Sequence, residues 1–300
     1  MRFASMFVAL ATLLATPTIA SAETQPLVKT DWLIEHAADE NVVILDVRND
    51  IESTELGETP YIAHAVVAPY GSAGWRTEIQ GVPGMLPEIE DIVALIESLG
   101  VDNDDHVVIV PWGTDASEVG GATRIYWTFK YLGHDDVSIL DGGWRQYQAA
   151  GGEFVAEPVT PQPSEFGHEL QEHLLATTEE VEAALDAGTR LVDGRPAAQY
   201  RGESKSPVVR VAGTIPGSVN IENGRIYSAD YAEFTAASDI AALAENVGLG
   251  ADEANIVFCN TGHWASVVWF GLSELQGNKN TSMYDGSMAA WTQDESRPVQ

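Results

Sequence analysis

The chain has 300 residues, 45% of them hydrophobic, with 45 acidic side chains against 15 Lys and Arg, a formal net charge of -30 and one cysteine. This length and apolar content suit two globular domains with real cores. The charge disfavours nucleic acid and anionic membranes as partners, and one cysteine excludes an internal disulfide.

In chain order, Arg2, the apolar run from Phe3 to Leu14 and the small residues Ala20-Ser-Ala22 read as a secretory signal peptide, residues 1–22. The run is too short to span a bilayer, so the expected protein is exported, periplasmic or secreted, with no membrane partner. Thr30 is expected to cap a helix through Ala38, and Val42–Val47 reads as a buried strand. Pro87 opens a helix whose apolar face is Ile89, Ile92, Val93, Ile96 and Leu99, at helical spacing. Val107–Val110 and Val137–Leu140 read as further buried strands. The proline-rich stretch that begins at Glu157 and includes Pro158, Pro161 and Pro163 marks a linker, residues 157–170. Beyond it, Thr177 and Glu180 form a capping box and Gly188 ends that helix. Leu191–Val192, Ser218–Ile221, Ile256–Phe258 and Ser282–Tyr284 read as strands. Alternation of this kind predicts an α/β fold of two mainly parallel sheets with helices on both faces, and ligands at the carboxyl ends of strands.

The two halves repeat one another. Ile44-Leu-Asp-Val-Arg48 resembles Leu191-Val-Asp-Gly-Arg195, Ala122–Phe129 resembles Ala265–Leu272 in pattern, and Asp141-Gly-Gly-Trp144 echoes Asp285-Gly-Ser-Met-Ala-Ala-Trp291. A repeat of roughly half the chain means duplicated domains, since solenoid periods are about 20–50 residues.

Cys259 ends the strand Ile256–Phe258, and a turn from Cys259 to Trp264 around Gly262 leads into a helix expected over Ala265–Leu275 and closed by Gly277. A cysteine there faces the free N–H groups and positive end of the helix, which favour a thiolate or any anion on the sulfur. A buried, inert thiol is the other reading of a lone cysteine. The backbone N–H groups from Asn260 to Ala265 are expected to ring the sulfur. Thr261 is a candidate hydrogen-bond donor to an outer sulfur, and His263 a source of charge at acidic pH, although His263 and Trp264 also suit plain packing at the rim. The seven histidines have no paired spacing with Cys259 and no Gly-rich phosphate motif is present, so neither metal nor cofactor is expected.

From about Leu27 to Trp291 the chain resembles a tandem-domain sulfurtransferase of the rhodanese family. The likeness rests on Met85-Leu-Pro87, Tyr131-Leu-Gly-His134, Ser138–Trp144, Val192-Asp-Gly-Arg195, Gly213–Ile221 and the cysteine loop. It implies an inactive rhodanese-like domain over 23–156 and a catalytic one over 171–300, with Pro111 where the repeat has Cys259. It also implies that Cys259 takes a sulfane sulfur from a small sulfur-anion donor and passes it to a thiol or cyanide-like acceptor, a protein thiol included. Arg195, Arg201 and Arg210 are candidates for holding the donor, with an ion pair (Arg195) or solvated loop charge (Arg201, Arg210) as their alternative roles. Gln199 stands where the family often has a substrate arginine, and Asn260-Thr-Gly262 carries neither the thiosulfate nor the 3-mercaptopyruvate loop signature. Thiosulfate is the favoured donor because the protein is read as exported. The competing functions are use of 3-mercaptopyruvate and a persulfide carrier or thiol-binding module with little turnover. A phosphatase would need an arginine where Ala265 stands.

Overall fold

Five runs in the first half pair as one parallel sheet in the spatial order Leu27–Val28, Val137–Leu140, His106–Val110, Val42–Asp46, Ala65–Val67. Five runs in the second half do the same in the order Leu175–Ala176, Thr281–Tyr284, Asn255–Phe258, Arg190–Asp193, Val219–Asn220. The two orders are identical in connectivity, so the repeat read in the sequence is a repeat of fold. The source is a computed structural model that describes residues 24–53, 57 and 60–300, and residues 1–22, read above as a signal peptide, lie outside the described residues.

The central strands are almost wholly apolar, as expected of strands covered on both faces. Val107, Val108, Ile109, Val110, Val257 and Phe258 are all fully buried. The Thr178–Ala187 helix starts with the anticipated capping box between Thr177 and Glu180 and ends at Gly188, which takes the left-handed conformation. Such a cap contributes about 1 kcal/mol.

Several boundaries differ from the sequence reading for local reasons. The first helix runs Thr30–His36 with Lys29 before it, so Thr30 is a buried first-turn residue and its side chain caps nothing. Ser218 turns back onto the Ile215 carbonyl through both its N–H and its hydroxyl, and the strand shrinks to Val219–Asn220. The helix after the cysteine starts at His263, two residues early, and from Phe270 to Leu275 it widens into i→i+5 bonding, with the Gln276 N–H on the Gly271 carbonyl.

One helix joins the halves. Ala116–Tyr131 has 13 of its 16 residues buried, packs on its own sheet and also lies against the His263–Trp269 helix. Gly120 and Gly121 make the approach feasible. A Cβ on Gly120 would sit 2.7 Å from the His263 ring, and one on Gly121 2.9 Å from the Tyr70 ring. The Thr123 and Ser266 hydroxyls meet at 2.8 Å between the two helices. A single apolar cluster runs from Leu45 and Val107 through Ile125 to Val257 and Trp269, across both halves.

Two short hairpins complete the exchange. Thr77–Ile79 with Val82–Met85 reaches from the first half to the second, and Tyr227–Ser228 with Glu233–Phe234 reaches back. Asp285 accepts the Leu86 N–H at 2.8 Å, and Asp141, its repeat counterpart, accepts the Phe234 N–H at 3.0 Å. Strands of two to four residues carry too little periodicity to be read from sequence.

The shared core predicts one cooperative unfolding event for the whole chain. Tryptophan fluorescence and far-ultraviolet circular dichroism should give coincident thermal transitions. Two separated transitions would show that the halves unfold independently.

Candidate active site

The Asn255–Phe258 strand delivers Cys259 to the carboxyl edge of its sheet, and the cysteine is 1% exposed. Its N–H donates to the Ser287 hydroxyl at 3.0 Å, as does the N–H of Gly262, also at 3.0 Å. That hydroxyl in turn donates to the Tyr284 carbonyl at 2.8 Å. Ser287 thus closes the loop from behind, and it does so with φ at +50°, an unusual conformation for a residue with a Cβ. The N–H groups of Met288 and Ala289 bind the carbonyls of Cys259 and Asn260, so the loop's carbonyls point inward.

The expected ring of amides is therefore incomplete. Gly262 is committed to Ser287, whereas among the described residues the N–H groups of Asn260, Thr261, His263, Trp264 and Ala265 have no hydrogen-bond partner. These five remain for an anion at the sulfur. Gly262 has φ at +77°, and a Cβ there would collide with the Arg124 guanidinium and lie 2.8 Å from the Asp285 carboxylate. Only glycine fits that turn.

Cys259, Asn260, Thr261, His263 and Trp264 form one wall of a cavity of about 390 Å³. The first half supplies Pro83, Gly84 and Ser117, and the second half adds Ser206 and Val208. No Lys, Arg, Asp or Glu is among the lining residues. The side-chain amide of Asn260 is anchored on Gln199 at 2.9 Å, so Gln199 holds the loop.

The three candidate arginines lie elsewhere. Arg195 is fully buried in a double contact with Asp193, at 2.6 Å for the closer pair, and also donates to the Gly213 carbonyl. Arg48 and Asp46 form the same pair in the first half, which marks it as part of the duplicated framework. Arg201 is exposed and bound to Glu203, and Arg210 is bound to Glu295 and to the Thr292 carbonyl. None of the three lines the cavity.

The cations near the loop come from the first half, where sequence reading did not look. Arg124, fully buried on the Ala116–Tyr131 helix, donates to the Gly262 carbonyl at 3.2 Å and pairs with Asp285. Burial and the neighbouring Arg76 push its charge down in favour, while Tyr70 and Cys259 support it. His263 does not supply charge. Its Nε2 sits 2.6 Å from the Ser117 carbonyl and its Nδ1 3.2 Å from the Tyr70 hydroxyl, an arrangement that a neutral ring protonated on Nε2 satisfies. Burial, with Arg124 and Arg76 adding to it, pushes its pKa down to about 4. Trp264 donates to the Ser117 hydroxyl at 3.0 Å. Both residues clasp the start of the first-half helix.

The counterpart loop of the first half is closed. After the His106–Val110 strand comes Pro111, and the N–H groups of Trp112 and Gly113 donate to the Glu118 carboxylate at 2.8 and 2.9 Å. An internal anion fills the place that the second half leaves open. Trp144 and Arg145 bind the Pro111 and Trp112 carbonyls just as Met288 and Ala289 bind those of Cys259 and Asn260. Gly143, at φ +56°, stands where Ser287 does.

Known proteins share this fold. The rhodanese-like domain family matches residues 29–150 and 177–294. A protein of Mycolicibacterium smegmatis named "Putative thiosulfate sulfurtransferase" is 31% identical over 281 residues, 91% of this chain and 95% of its own. The sulfur carrier protein TtuD of Thermus thermophilus is 29% identical over 90% of this chain and 94% of its own. Among solved structures, the 3-mercaptopyruvate sulfurtransferase SseA of Escherichia coli is similar at TM-score 0.73 and 26% identity, over 88% of this chain and 99% of that one. The anaerobic ergothioneine biosynthesis enzyme of Chlorobium limicola shares the fold at TM-score 0.78 and 20% identity, over 92% and 70% of the two chains.

Two measurements check the site. The depressed His263 means that the unfolded ring binds a proton below about 6.5 while the folded ring refuses it until about 4. Stability carried by the neutral ring is therefore full near pH 7 and is lost as pH falls through that window, by roughly 2–3 kcal/mol. In urea melts from pH 7 to 4, the lead of the native chain over His263→Gln should shrink; a constant lead would refute the neutral clasp. Ser287→Ala should cost about 1–3 kcal/mol by orphaning two buried N–H groups. Ser287→Gly should lose about 1 kcal/mol less, because glycine relieves the positive φ.

Proposed function

The chain belongs to the rhodanese-like family and is a sulfurtransferase, and from that premise we propose that Cys259 carries the transferred sulfur as a persulfide. The observation that supports this most is that the cysteine lines a cavity and belongs to a loop with five unpartnered N–H groups. The Cys259 thiolate attacks the outer sulfur of a sulfane donor, and the donor's S–S bond breaks. With thiosulfate the leaving group is sulfite, and the electron pair goes with it. The sulfur left on the cysteine is anionic and needs no general base; the amides hold it. An acceptor thiolate or cyanide then attacks that sulfur, and the Cys259–S bond breaks back to the thiolate. The first half lines one side of the cavity but offers no thiol, since Pro111 replaces the cysteine.

Thiosulfate is the donor we favour, with 3-mercaptopyruvate as its competitor. The cavity wall carries no cation, so a dianion depends on the loop amides and Thr261. Charge repulsion from a -30 protein is screened beyond roughly 8 Å at physiological salt. A second reading, a sulfur carrier that docks a protein thiol and turns over slowly, draws on the same uncharged wall and on the likeness to the Thermus sulfur carrier. We also propose export through residues 1–22.

Intact mass after exposure to thiosulfate, and separately to 3-mercaptopyruvate, should show one added sulfur atom on the native chain and none on Cys259→Ser. Sulfur loading by the serine variant would remove Cys259 from the reaction. Multiple turnovers with thiosulfate and cyanide favour the enzyme reading, and loading without turnover favours the carrier. Moderate salt should raise kcat/KM for thiosulfate; a steep fall would show that attraction governs capture.

A further inference from the structure

We propose that Arg124, with Arg76 behind it, is an electrostatic positioning device for the anionic sulfur of Cys259, contributed by the half of the molecule that has no cysteine. The proposal rests on Cys259 being the sulfur carrier. It explains how an anion is held in a cavity without a cationic wall.

The geometry begins at Gly262. Arg124 donates to the Gly262 carbonyl at 3.2 Å, and its guanidinium lies where a side chain on Gly262 would project. The N–H of that glycine and the N–H of Cys259 share the Ser287 hydroxyl, so the guanidinium lies behind the same tight turn that carries the sulfur. Arg124 pairs with Asp285, whose other oxygen accepts the Leu86 N–H at 2.8 Å. Arg76 donates to the Arg124 carbonyl and to the Thr128 hydroxyl, both at 2.8 Å, and among the described residues it has no carboxylate partner. Its Nε, like that of Arg124, is buried without a hydrogen bond. Two guanidinium groups thus stand against one carboxylate. One positive charge is left over in a layer that contacts little solvent, inside a protein of net charge -30.

The other groups facing the loop leave that charge unopposed. His263 is neutral down to about pH 4, and the Tyr70 hydroxyl is bound to it. Asp193 and Arg195, on the neighbouring strand, neutralise each other. Lys205, beside the lining Ser206, donates to the Val209 carbonyl. A guanidinium keeps its proton where an ammonium would shed it on burial, which suits a fixed charge in such a layer. Interactions between charges are stronger there than in water, so a charge held on the Gly262 carbonyl acts on the sulfur without lining the cavity. Placing it behind the loop leaves the front free for donor and acceptor.

The test is the pH dependence of Cys259 alkylation by iodoacetamide in the full chain. Arg124→Met should move the midpoint up by about one pH unit, a roughly tenfold slower reaction at a fixed pH below it. Arg76→Met should move it the same way by less, Arg124→Lys should also move it up because a buried ammonium sheds its proton, and Asp285→Asn should move it down. Circular dichroism and melting temperature are read on each variant. A merely structural pair would give Arg124→Met and Asp285→Asn shifts of the same sign, and that result, or no shift in folded variants, overturns the proposal. Should Arg124→Met fail to fold, Arg76→Met and Asp285→Asn decide the matter by their opposite signs. Sulfur loading followed by intact mass in the same samples keeps the two readings apart: a chain that alkylates as described but never loads sulfur would fail the persulfide reading alone.

Discussion

The Asp285 carboxylate is the point on which the two halves depend. One oxygen faces Arg124 and the other accepts the Leu86 N–H, so a single side chain of the second half grips both the buried helix and the hairpin of the first. A carboxylate this buried, 3% exposed, is unfavourable alone and stable only when both oxygens are satisfied. The same contact fixes the turn around Gly262, because Arg124 continues from Asp285 to the Gly262 carbonyl. Domain association and loop geometry are therefore one constraint. A change that separates the halves also releases the turn around Cys259.

The repeat shows how one scaffold came to hold one site. Both strand-end loops are bound from behind by N–H groups of the following short helix, and both need a positive φ at the residue after Gly142 or Gly286. In the first half that residue is Gly143, and the loop's own N–H groups close on Glu118. In the second it is Ser287, whose hydroxyl takes two N–H groups away from the cavity and leaves the others without a partner. Glu118 is an acid held in a cradle; burial raises its pKa and the backbone N–H groups of Trp112, Gly113 and Thr114 lower it. The cradle chemistry is common to both loops, and what differs is whether the anion is built in or brought in.

Much of this was legible in the chain. Val107–Val110 and Ile256–Phe258 are apolar throughout and could only be buried strands, and Thr177, Glu180 and Gly188 carry cap chemistry that is local by nature. Cys259 stood out because it was single and sat at a strand end before a helix. The arginines misled because charge was sought close in sequence to the cysteine. Arg201 and Arg210 are near in sequence but carry their own acids, whereas Arg124 is 138 positions from Gly262 and reaches it only through the domain interface. Ser287 was not singled out, and of the two readings of His263 packing holds while charge does not; hydrogen-bond partners and burial are tertiary facts. The departure from Gly143 to Ser287 within an otherwise repeated motif, like that from Pro111 to Cys259, was a signal in the sequence that the second loop is held differently.

The distribution of charge then has a physical logic. The acidic excess sits largely on the surface, where solvent and salt weaken it within about a Debye length. The positive charge that matters lies in the layer between the halves, where screening is weak and position is fixed by packing on Gly120, Gly121 and Gly262. Lining the cavity with neutral Pro83, Val208, Trp264 and His263 keeps side-chain cations from binding the leaving group or product as firmly as the substrate. A persulfide must be stable enough to wait and labile enough to leave. With Cys259 as the proposed sulfur carrier, amides in front and a guanidinium behind would stabilise that sulfur without a direct ion pair that the acceptor would have to break.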